Sequence, residues 1–330
     1  MPINKISVAP MMDWTDRHCR YFHRQLTKNT LLYTEMITAD AIIHGCRERL
    51  LRYNEAEHPV ALQLGGSDPK GLGEAAKIGE ALGYDEINLN IGCPSPRVKK
   101  GGFGAALMYE PELVRDCISN MQNMVSIPVT VKCRIGVDEM DDNEGLDHFI
   151  SVVAEANTQT FIIHARKAWL EGLSPKQNRE VPPLNYDRVY KLKSSNPGLK
   201  VIINGGIETV DEVIKHLEFV DGVMIGRAAY HNPYMLSKID NEIFGDEVQA
   251  KTEIDIALSM IPYIERELSS GTRLHQITRH MLGLFKGASG AKIYRRILSS
   301  EGTKQNASID TYRSAIKCIS HPEDQTAAVL

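Results

Sequence analysis

Short runs of β-branched and apolar residues recur along the first two thirds of the chain. Each run is followed by a polar turn and a stretch with helical spacing of its apolar positions. Such runs predict strands at residues 5–9, 31–35, 60–64, 86–90, 129–133, 160–164, 200–204 and 222–225. Strands and helices that alternate over about 230 residues match an α/β fold of the (β/α)8 TIM-barrel type, whose usual length is about 250 residues. A doubly wound open sheet is the alternative, because counting strands from one sequence is error-prone.

The strand pattern stops near residue 245. Residues 254–268 and 274–286 have the apolar spacing of helices, and Gly287, Gly290 and Gly302 punctuate their ends. We therefore expect a barrel domain over 1–244 and a small, all-helical C-terminal domain over 245–330.

Hydrogen-bonding side chains stand where several predicted strands end, and TIM barrels build their active sites at that face. Strands three to six lead to Gln63, Asn90, Lys132 and His164. On the fifth strand Lys132 alternates with Val131 and Cys133, so it should point inward, away from the apolar set. A buried lysine needs an anionic or carbonyl partner.

Glycines follow the seventh and eighth predicted strands, in Asn204-Gly205-Gly206 and Gly226-Arg227. Loops after these two strands of a barrel often bind a phosphate, and glycine lets the backbone approach a ligand closely. Together with Lys132 and the amides they outline an elongated ligand across the barrel mouth. Flavin mononucleotide (FMN) fits that outline, with Lys132 near the edge where a reduced flavin gathers negative charge. A phosphorylated sugar substrate would fit the phosphate argument equally well.

Cys93 follows the fourth predicted strand, in a loop that Pro94 and Pro96 stiffen. An unperturbed thiol stays mostly protonated at neutral pH, so Cys93 is better suited to donating a proton than to nucleophilic attack. The alternative is that Cys93 is a small buried apolar residue, as free cysteines often are.

Composition limits the class of protein. Hydrophobic content of 42% and charged content of 24% are ordinary for a globular chain of 330 residues. No apolar run approaches the length of about 18 residues that a membrane span needs, and the chain enters its first strand without a signal-peptide pattern. Six cysteines form no C-x-x-C pair and no zinc spacing. We expect a cytoplasmic protein with no disulfide, metal site or membrane association.

Positive charge is concentrated in one segment. The net charge of −4 argues against a nucleic-acid-binding protein, but residues 268–300 carry +6 with no Asp or Glu, which leaves −10 for the rest. Lys292, Arg295 and Arg296 are spaced to share one helix face, and Arg279 and Lys286, seven apart, are also predicted to share one. Such a face is ordinarily a solvated surface; here the lack of acidic neighbours predicts salt-sensitive phosphate binding.

Several motifs resemble the tRNA-dihydrouridine synthases. They are VAPMMDWTD at residues 8–16, LNIGCPSP at 89–96, VKCRIG at 131–136 and INGGI at 203–207. Segments 163–176, 178–184 and 279–285 look specifically like the synthase A branch of that family. The resemblance extends over nearly the whole chain.

The resemblance implies an enzyme that reduces the C5=C6 bond of uridine in the tRNA D-loop to 5,6-dihydrouridine. It implies a tightly bound FMN that NADPH re-reduces, with Cys93 donating a proton to C5 while the flavin delivers hydride to C6. The implied FMN contacts are Pro10, Met11, Met12, Gln63, Lys132, His164, Asn204, Gly205, Gly206, Gly226 and Arg227. The implied tRNA or base contacts are Asn90, Arg97, Arg179, Tyr186, Lys292, Arg295 and Arg296, of which Asn90 would hold the uracil edge.

A target base inside folded RNA must swing out to reach the barrel mouth. On this interpretation residues 1–244 are catalytic and 245–330 bind tRNA, without an obligate protein partner and as a monomer. Two alternatives stay open: an FMN barrel acting on a free pyrimidine, which has no use for a basic helical segment, and a non-catalytic RNA-binding protein.

Overall fold

The computed structural model describes residues 5–141, 143–245 and 251–320. Parallel strands in sequence order form a closed barrel. They are β1 Ile6–Val8, β2 Leu31–Thr38, β3 Val60–Gly65, β4 Glu86–Ile91, β5 Val129–Arg134, β6 Thr160–His164, β7 Lys200–Asn204 and β8 Gly222–Ile225. The predicted barrel is confirmed, and the open-sheet alternative is wrong, because β1 pairs with β8.

Helices lie between and after the strands. They are α1 Arg17–Leu26, α2 Ala39–His44, α3 Arg47–Leu51, α4 Pro69–Ala81, α5 Pro96–Lys100, α6 Pro111–Met124, α7 Glu144–Ala154, α8 Tyr186–Ser195, α9 Val210–Leu217, α10 Arg227–His231, α11 Met235–Glu242, α12 Glu253–Ser259, α13 Ile261–Ser269, α14 Leu274–Thr278, α15 Ala291–Ser300 and α16 Ile309–Ser320. Short 3-10 helices occupy Glu55–Glu57, Gly104–Tyr109, Gln177–Arg179 and Arg279–Met281.

Alternation along each strand separates the outer face of the barrel from its interior. The outward residues of β4, Ile87, Leu89 and Ile91, are fully buried beneath the surrounding layer. Apolar residues from several strands fill part of the interior: Ala9, Leu31, Tyr33, Ala61, Ile162, Ile202 and Met224. The rest of the interior is polar, and it leads to the carboxyl ends of the strands.

The chain divides into two compact units. One holds Thr30–Gly226 with the residues up to Asp13, and the other holds Trp14–Asn29 with the residues from Arg227 onward. Helix α1 therefore belongs to the second unit, although it follows β1 in sequence. The expected division at residue 244 into catalytic and tRNA-binding parts concerns function and stays a prediction.

The second unit is helical, but one of its predicted helices is wrong in its second half. Helix α14 ends at Thr278, and a 3-10 helix and turns follow it up to Gly290. Arg279 and Lys286 therefore do not share a face of one α-helix. The predicted helix over 254–268 is present as α12 and α13, and Pro262 lies in the first turn of α13. Within the described ranges, no helix combines the length and apolar character that crossing a membrane requires.

Candidate active site

Lys132 lies at the mouth of the barrel and points inward, as its alternation on β5 predicted. Its Nζ donates a hydrogen bond to Asn204 Oδ1 at 3.1 Å, and Asn204 Nδ2 donates to the Met224 carbonyl at 2.8 Å. Burial, and then the nearby positive charge of Arg134, lower the pKa of Lys132 to about 8. The predicted carbonyl partner is thus the Asn204 side-chain amide, which the backbone of β8 holds in place.

Gln63 and Asn90 form an amide pair on the adjacent strands β3 and β4, and Asn90 is the register partner of Lys132 on β5. Asn90 Nδ2 donates to Gln63 Oε1 at 2.9 Å. Asn90 Oδ1 accepts from the backbone N–H groups of Gly92 at 3.1 Å and Cys93 at 3.0 Å. Asn90 therefore shapes the loop that carries the thiol, and one hydrogen on its Nδ2 has no acceptor among the residues that the structure describes.

Cys93 is half-buried and lies in a loop that is fixed at both ends. On the C-terminal side of Cys93, the Ser95 hydroxyl caps α5 by accepting a hydrogen bond from Val98 N at 3.3 Å. The Cys93 carbonyl accepts from Ala105 N at 3.0 Å. At Gly104, φ is +75° and an added Cβ would lie 2.5 Å from the Cys93 oxygen, so the close return of the chain requires glycine.

Arg134 is a site residue that the sequence reasoning did not single out. It is 3% exposed and donates to three carbonyl oxygens: Gly92 at 3.0 Å, Lys167 at 3.1 Å and Asn178 at 2.9 Å. Burial lowers the pKa of Arg134 to about 10, and the charge of the Cys93 thiolate opposes that shift. Arg134 thus joins the Cys93 loop to the loop after β6. The available signal was its place on the Lys132 face of β5.

His164 ends β6 among positively charged groups. Burial, followed by Arg134, Lys132, Arg166 and Arg179, holds the pKa of His164 well below its ordinary value. The imidazole is therefore neutral at physiological pH, and in this form one ring nitrogen can donate a hydrogen bond and the other can accept one. The cations around it make this part of the mouth electropositive, which suits an anionic ligand.

The long loop after β6, residues 165–185, is held by internal hydrogen bonds. Asn178 is fully buried, donates to the Trp169 carbonyl at 2.9 Å and accepts from Trp169 N at 2.7 Å. Arg166 donates to the Pro182 carbonyl. Arg179 lies exposed on the neighbouring 3-10 helix, close enough to His164 to shift its pKa. This order allows the loop to hold side chains at defined places around the mouth.

The Gly205-Gly206 turn after β7 and Gly226 after β8 differ in the space that lies beside their backbone. Gly205 and Gly206 have φ of +117° and +71°, a region that favours glycine, and a Cβ at Gly205 would meet the His164 ring at 2.6 Å. Tyr186 donates its hydroxyl hydrogen to the Gly205 carbonyl at 2.7 Å. Among the residues that the structure describes, the only atom within 4 Å of an added Cβ at Gly226, apart from its chain neighbours, is Asn204 Nδ2, at 3.9 Å. A ligand therefore has room to approach the backbone at Gly226. Tyr186, which the sequence analysis expected to contact tRNA, supports the turn after β7.

The loop after β1, up to Asp13, belongs to the same compact unit as Thr30–Gly226. Its backbone starts with a hydrogen bond from Ala9 N to the Ile225 carbonyl at 2.8 Å. Pro10 and Met11 are half-buried, and Met12 is 57% exposed. These residues follow the end of β1, whereas Arg227 begins α10 of the second unit.

The basic residues that the sequence analysis singled out on α15 and at position 279 have different surroundings. Lys292, Arg295 and Arg296 are exposed on α15, whose opposite side buries Ala291, Tyr294 and Leu298, so the predicted shared face is confirmed. Arg279 instead pairs with Asp16 at 2.7 Å, and the expectation that this segment lacks acidic partners is wrong for that residue.

In the barrel unit, Arg97 is exposed on α5, and its neighbour Lys99 pairs with Glu171 at 2.7 Å. Helix α5 is thereby linked to the loop after β6.

A closed parallel barrel with these groups at the carboxyl ends of its strands defines a TIM-barrel protein with a candidate ligand site at that face. A 2-naphthoyl-CoA reductase in complex with 2-naphthoyl-CoA has a similar fold. Its TM-score is 0.57 at 11% identity, over 72% of this chain and 50% of that one, and this likeness shows the fold alone.

Sequence comparison identifies the family. The model of the dihydrouridine synthase family matches residues 7–320 of this chain. The tRNA-dihydrouridine(20/20a) synthase of Vibrio cholerae serotype O1 is 55% identical, covering 97% of this chain and 98% of that one. The protein of the same name from Escherichia coli K12 is 57% identical, with 96% and 91% covered, and that from Yersinia pestis is 54% identical, with 97% and 92% covered. The chain belongs to the dihydrouridine synthase family, a family of oxidoreductases, as its motifs implied.

Proposed function

We propose that this protein reduces the C5=C6 bond of uridine in the D-loop of tRNA, at position 20 or 20a, with Cys93 as the proton donor. The observation that carries the proposal is the thiol at the barrel mouth, in a loop held by Asn90 and Arg134 beside Lys132. The names of the related synthases support the substrate and its position.

The residues present fit FMN. Gly226 offers backbone next to open space for a phosphate, and Lys132 and the cations around His164 suit a ligand that carries negative charge. Gln63, Asn204 and Gly206 would hold the ring and phosphate from neighbouring strands, and Pro10, Met11, Met12, Gly205 and Arg227 complete the proposed set. Bound there, FMN would supply the hydride for C6 of the base, and NADPH would restore it.

Cys93 would complete the reduction by protonating C5, because hydride addition at C6 leaves negative charge on the base. The thiolate that remains lies near Lys132 and Arg134, since its charge opposes the lowering of the pKa of both groups by burial. Asn90 has one amide hydrogen to offer a carbonyl of the uracil, and Arg179 would contact the same base.

Exposed basic residues would bind the tRNA. Lys292, Arg295 and Arg296 on α15, together with Arg97 beside the Cys93 loop, would contact tRNA phosphates. This exposed face favours tRNA over a free pyrimidine as the substrate. We also propose that the protein works as a cytoplasmic monomer, with tRNA as its only required macromolecular partner.

Dihydrouridine mapping in tRNA tests the function. A strain that lacks this protein should lose dihydrouridine at positions 20 and 20a, and the wild-type gene should restore it. Cys93→Ala should fail to restore it while the purified variant still binds FMN and tRNA, because the change removes only the proton donor. Cys46→Ala, at an exposed free cysteine, is the matched control and should restore it fully. Unchanged mapping in the deletion strain, or full restoration by Cys93→Ala, contradicts the proposal.

A further inference from the structure

A buried carboxylate lies inside the barrel, at the amino end of β4, away from the groups described above. Glu86 is 1% exposed. Its Oε1 accepts from the Tyr33 hydroxyl at 2.5 Å and from Thr130 Oγ1 at 2.7 Å. Burial and the charge of Glu86 hold the pKa of Tyr33 well above its ordinary value, so Tyr33 remains a donor. An oxygen that accepts two hydrogen bonds has both lone pairs engaged and acts only as an acceptor.

From Thr130 a chain of hydrogen bonds runs toward the mouth. Because the Thr130 hydroxyl gives its hydrogen to Glu86, it meets its next neighbour as an acceptor. That neighbour is Asn88, whose Nδ2 donates to Thr130 Oγ1 at 2.8 Å. Asn88 Oδ1 then accepts from Gln63 Nε2 at 2.8 Å. Each amide receives a hydrogen on its oxygen and passes one on from its nitrogen.

The chain ends on the loop that carries the thiol. Gln63 Oε1 accepts from Asn90 Nδ2 at 2.9 Å, and Asn90 Oδ1 accepts from Gly92 N and Cys93 N. Backbone N–H groups can only donate, so they require an oxygen from Asn90. The carboxylate at one end and the backbone at the other therefore demand the same orientation of every amide between them. Turning any one amide over would place two donors or two acceptors face to face.

We propose that Glu86 is a positioning residue: through Thr130, Asn88 and Gln63 it fixes the Asn90 amide, and with it the backbone of the Cys93 loop. Asn90 is left with a hydrogen, and no oxygen, to offer a ligand. The site consequently selects a base that presents a carbonyl at that point. The kinetic part of this inference rests on the proposed function, and the structural part does not.

Thr130→Val tests the chain, because valine replaces the hydroxyl that links Glu86 to Asn88 with a methyl group. Thr130→Ser keeps a hydroxyl and should behave like the wild type. Tyr33→Phe is the matched control: it removes the hydroxyl that donates to the same Glu86 oxygen and also contacts Thr130, but it leaves the hydrogen bonds from Asn88 through Thr130 to Glu86 in place. Thr130→Ala, which also lacks the hydroxyl, takes the place of Thr130→Val if that variant does not fold.

The first readout is the rate at which iodoacetamide alkylates individual cysteines of the holoprotein, followed by peptide mass spectrometry. Exposed Cys46 reports reagent activity and fully buried Cys117 reports unfolding. Thr130→Val removes two hydrogen bonds of the chain, and one lost hydrogen bond corresponds to a factor of about five. We expect the rate at Cys93 to rise about fivefold or more, with Cys46 and Cys117 unchanged. An unchanged Cys93 rate, an equal rise in Tyr33→Phe, or a parallel rise at Cys117 overturns the proposal.

The second readout is single-turnover reduction of tRNA uridine by the reduced protein. Thr130→Val should slow this step about fivefold or more and leave the KM for tRNA unchanged, and Thr130→Ser should rescue it. If Cys93 responds as expected but even the wild type reduces no uridine, the positioning role stands and the proposed function fails. If the wild type is active and Thr130→Val is as fast, the positioning role fails alone.

Discussion

Replacing Arg134 with lysine keeps the positive charge at the site but removes the planar group that reaches three carbonyl oxygens. In the structure the guanidinium donates to Gly92, Lys167 and Asn178. A single ammonium on a different stem cannot reproduce that fork, so we expect two of the three hydrogen bonds to be lost. Hydrogen bonds from charged groups contribute about 1.5–3 kcal/mol each, and water can reach part of the half-buried Gly92 region. The expected loss in the free energy of unfolding is therefore about 3 kcal/mol.

The same change should impair turnover, because the Gly92 carbonyl adjoins Cys93 in the chain. A displacement of the order of 1 Å in a reacting group costs up to about a hundredfold in rate. We expect dihydrouridine formation by Arg134→Lys to fall between about tenfold and a hundredfold. The assays are urea denaturation of the purified holoprotein, followed by circular dichroism, and steady-state dihydrouridine formation on tRNA.

Arg188→Lys is the matched control for this experiment. Arg188 is equally buried, at 3% exposure, and its Nη2 group pairs with Asp147 and donates to the Asn143 carbonyl at 3.1 Å, both at the start of α7. It should lose stability on a similar scale and keep its turnover at temperatures where it is folded. Wild-type stability and turnover in Arg134→Lys, or an equal loss of turnover in Arg188→Lys, would refute the assignment of Arg134 as the residue that holds the Cys93 loop.

Two further predictions concern ligand binding. Burial lowers the pKa of Lys132 to about 8, so in the apoprotein its positive charge is lost as the pH rises through that value. The affinity of the apoprotein for FMN, measured by fluorescence titration, should therefore fall between about pH 7 and 9. The Lys132→Met variant should bind FMN more weakly and without this pH dependence. A wild-type affinity that is flat over this range would contradict it. Reversing the charges of Arg295 and Arg296 together should raise the KM for tRNA and weaken its salt dependence while NADPH reduces the bound flavin at the wild-type rate; an unchanged KM would make the α15 face an ordinary solvated surface.

The barrel could be predicted from the sequence because parallel strands buried on both faces appear as separate apolar runs. The direction of Lys132 followed from the period of two along β5. The carbonyl partners of Arg134 could not be predicted in the same way. They lie 33 to 44 positions away in loops whose folding no local pattern specifies.

The second unit shows two other limits of local patterns. Ile277, Met281, Leu284 and Phe285 are all buried, and their spacing of three to four residues is kept through a 3-10 helix and turns. The spacing indicates which residues are buried, and it does not distinguish an uninterrupted α-helix from a 3-10 helix followed by turns.

Helix α1 lies within residues 1–244, which the sequence analysis expected to form the barrel domain. Its place in the second unit depends on pairs distant in sequence, such as Arg17 with Glu267 at 2.5 Å and Asp16 with Arg279.

The polar face of β4 explains how a buried carboxylate and a reactive loop depend on each other. An isolated buried carboxylate is strongly destabilising, and Glu86 is tolerable because every hydrogen in the chain from the Cys93 backbone points toward it. The same alignment gives Asn90 its orientation. Substitution of Glu86 by an apolar residue would remove the destabilising charge and also the acceptor that fixes the orientation of the amides from the interior end of the chain. We therefore expect such a substitution to cost far less in stability than in turnover.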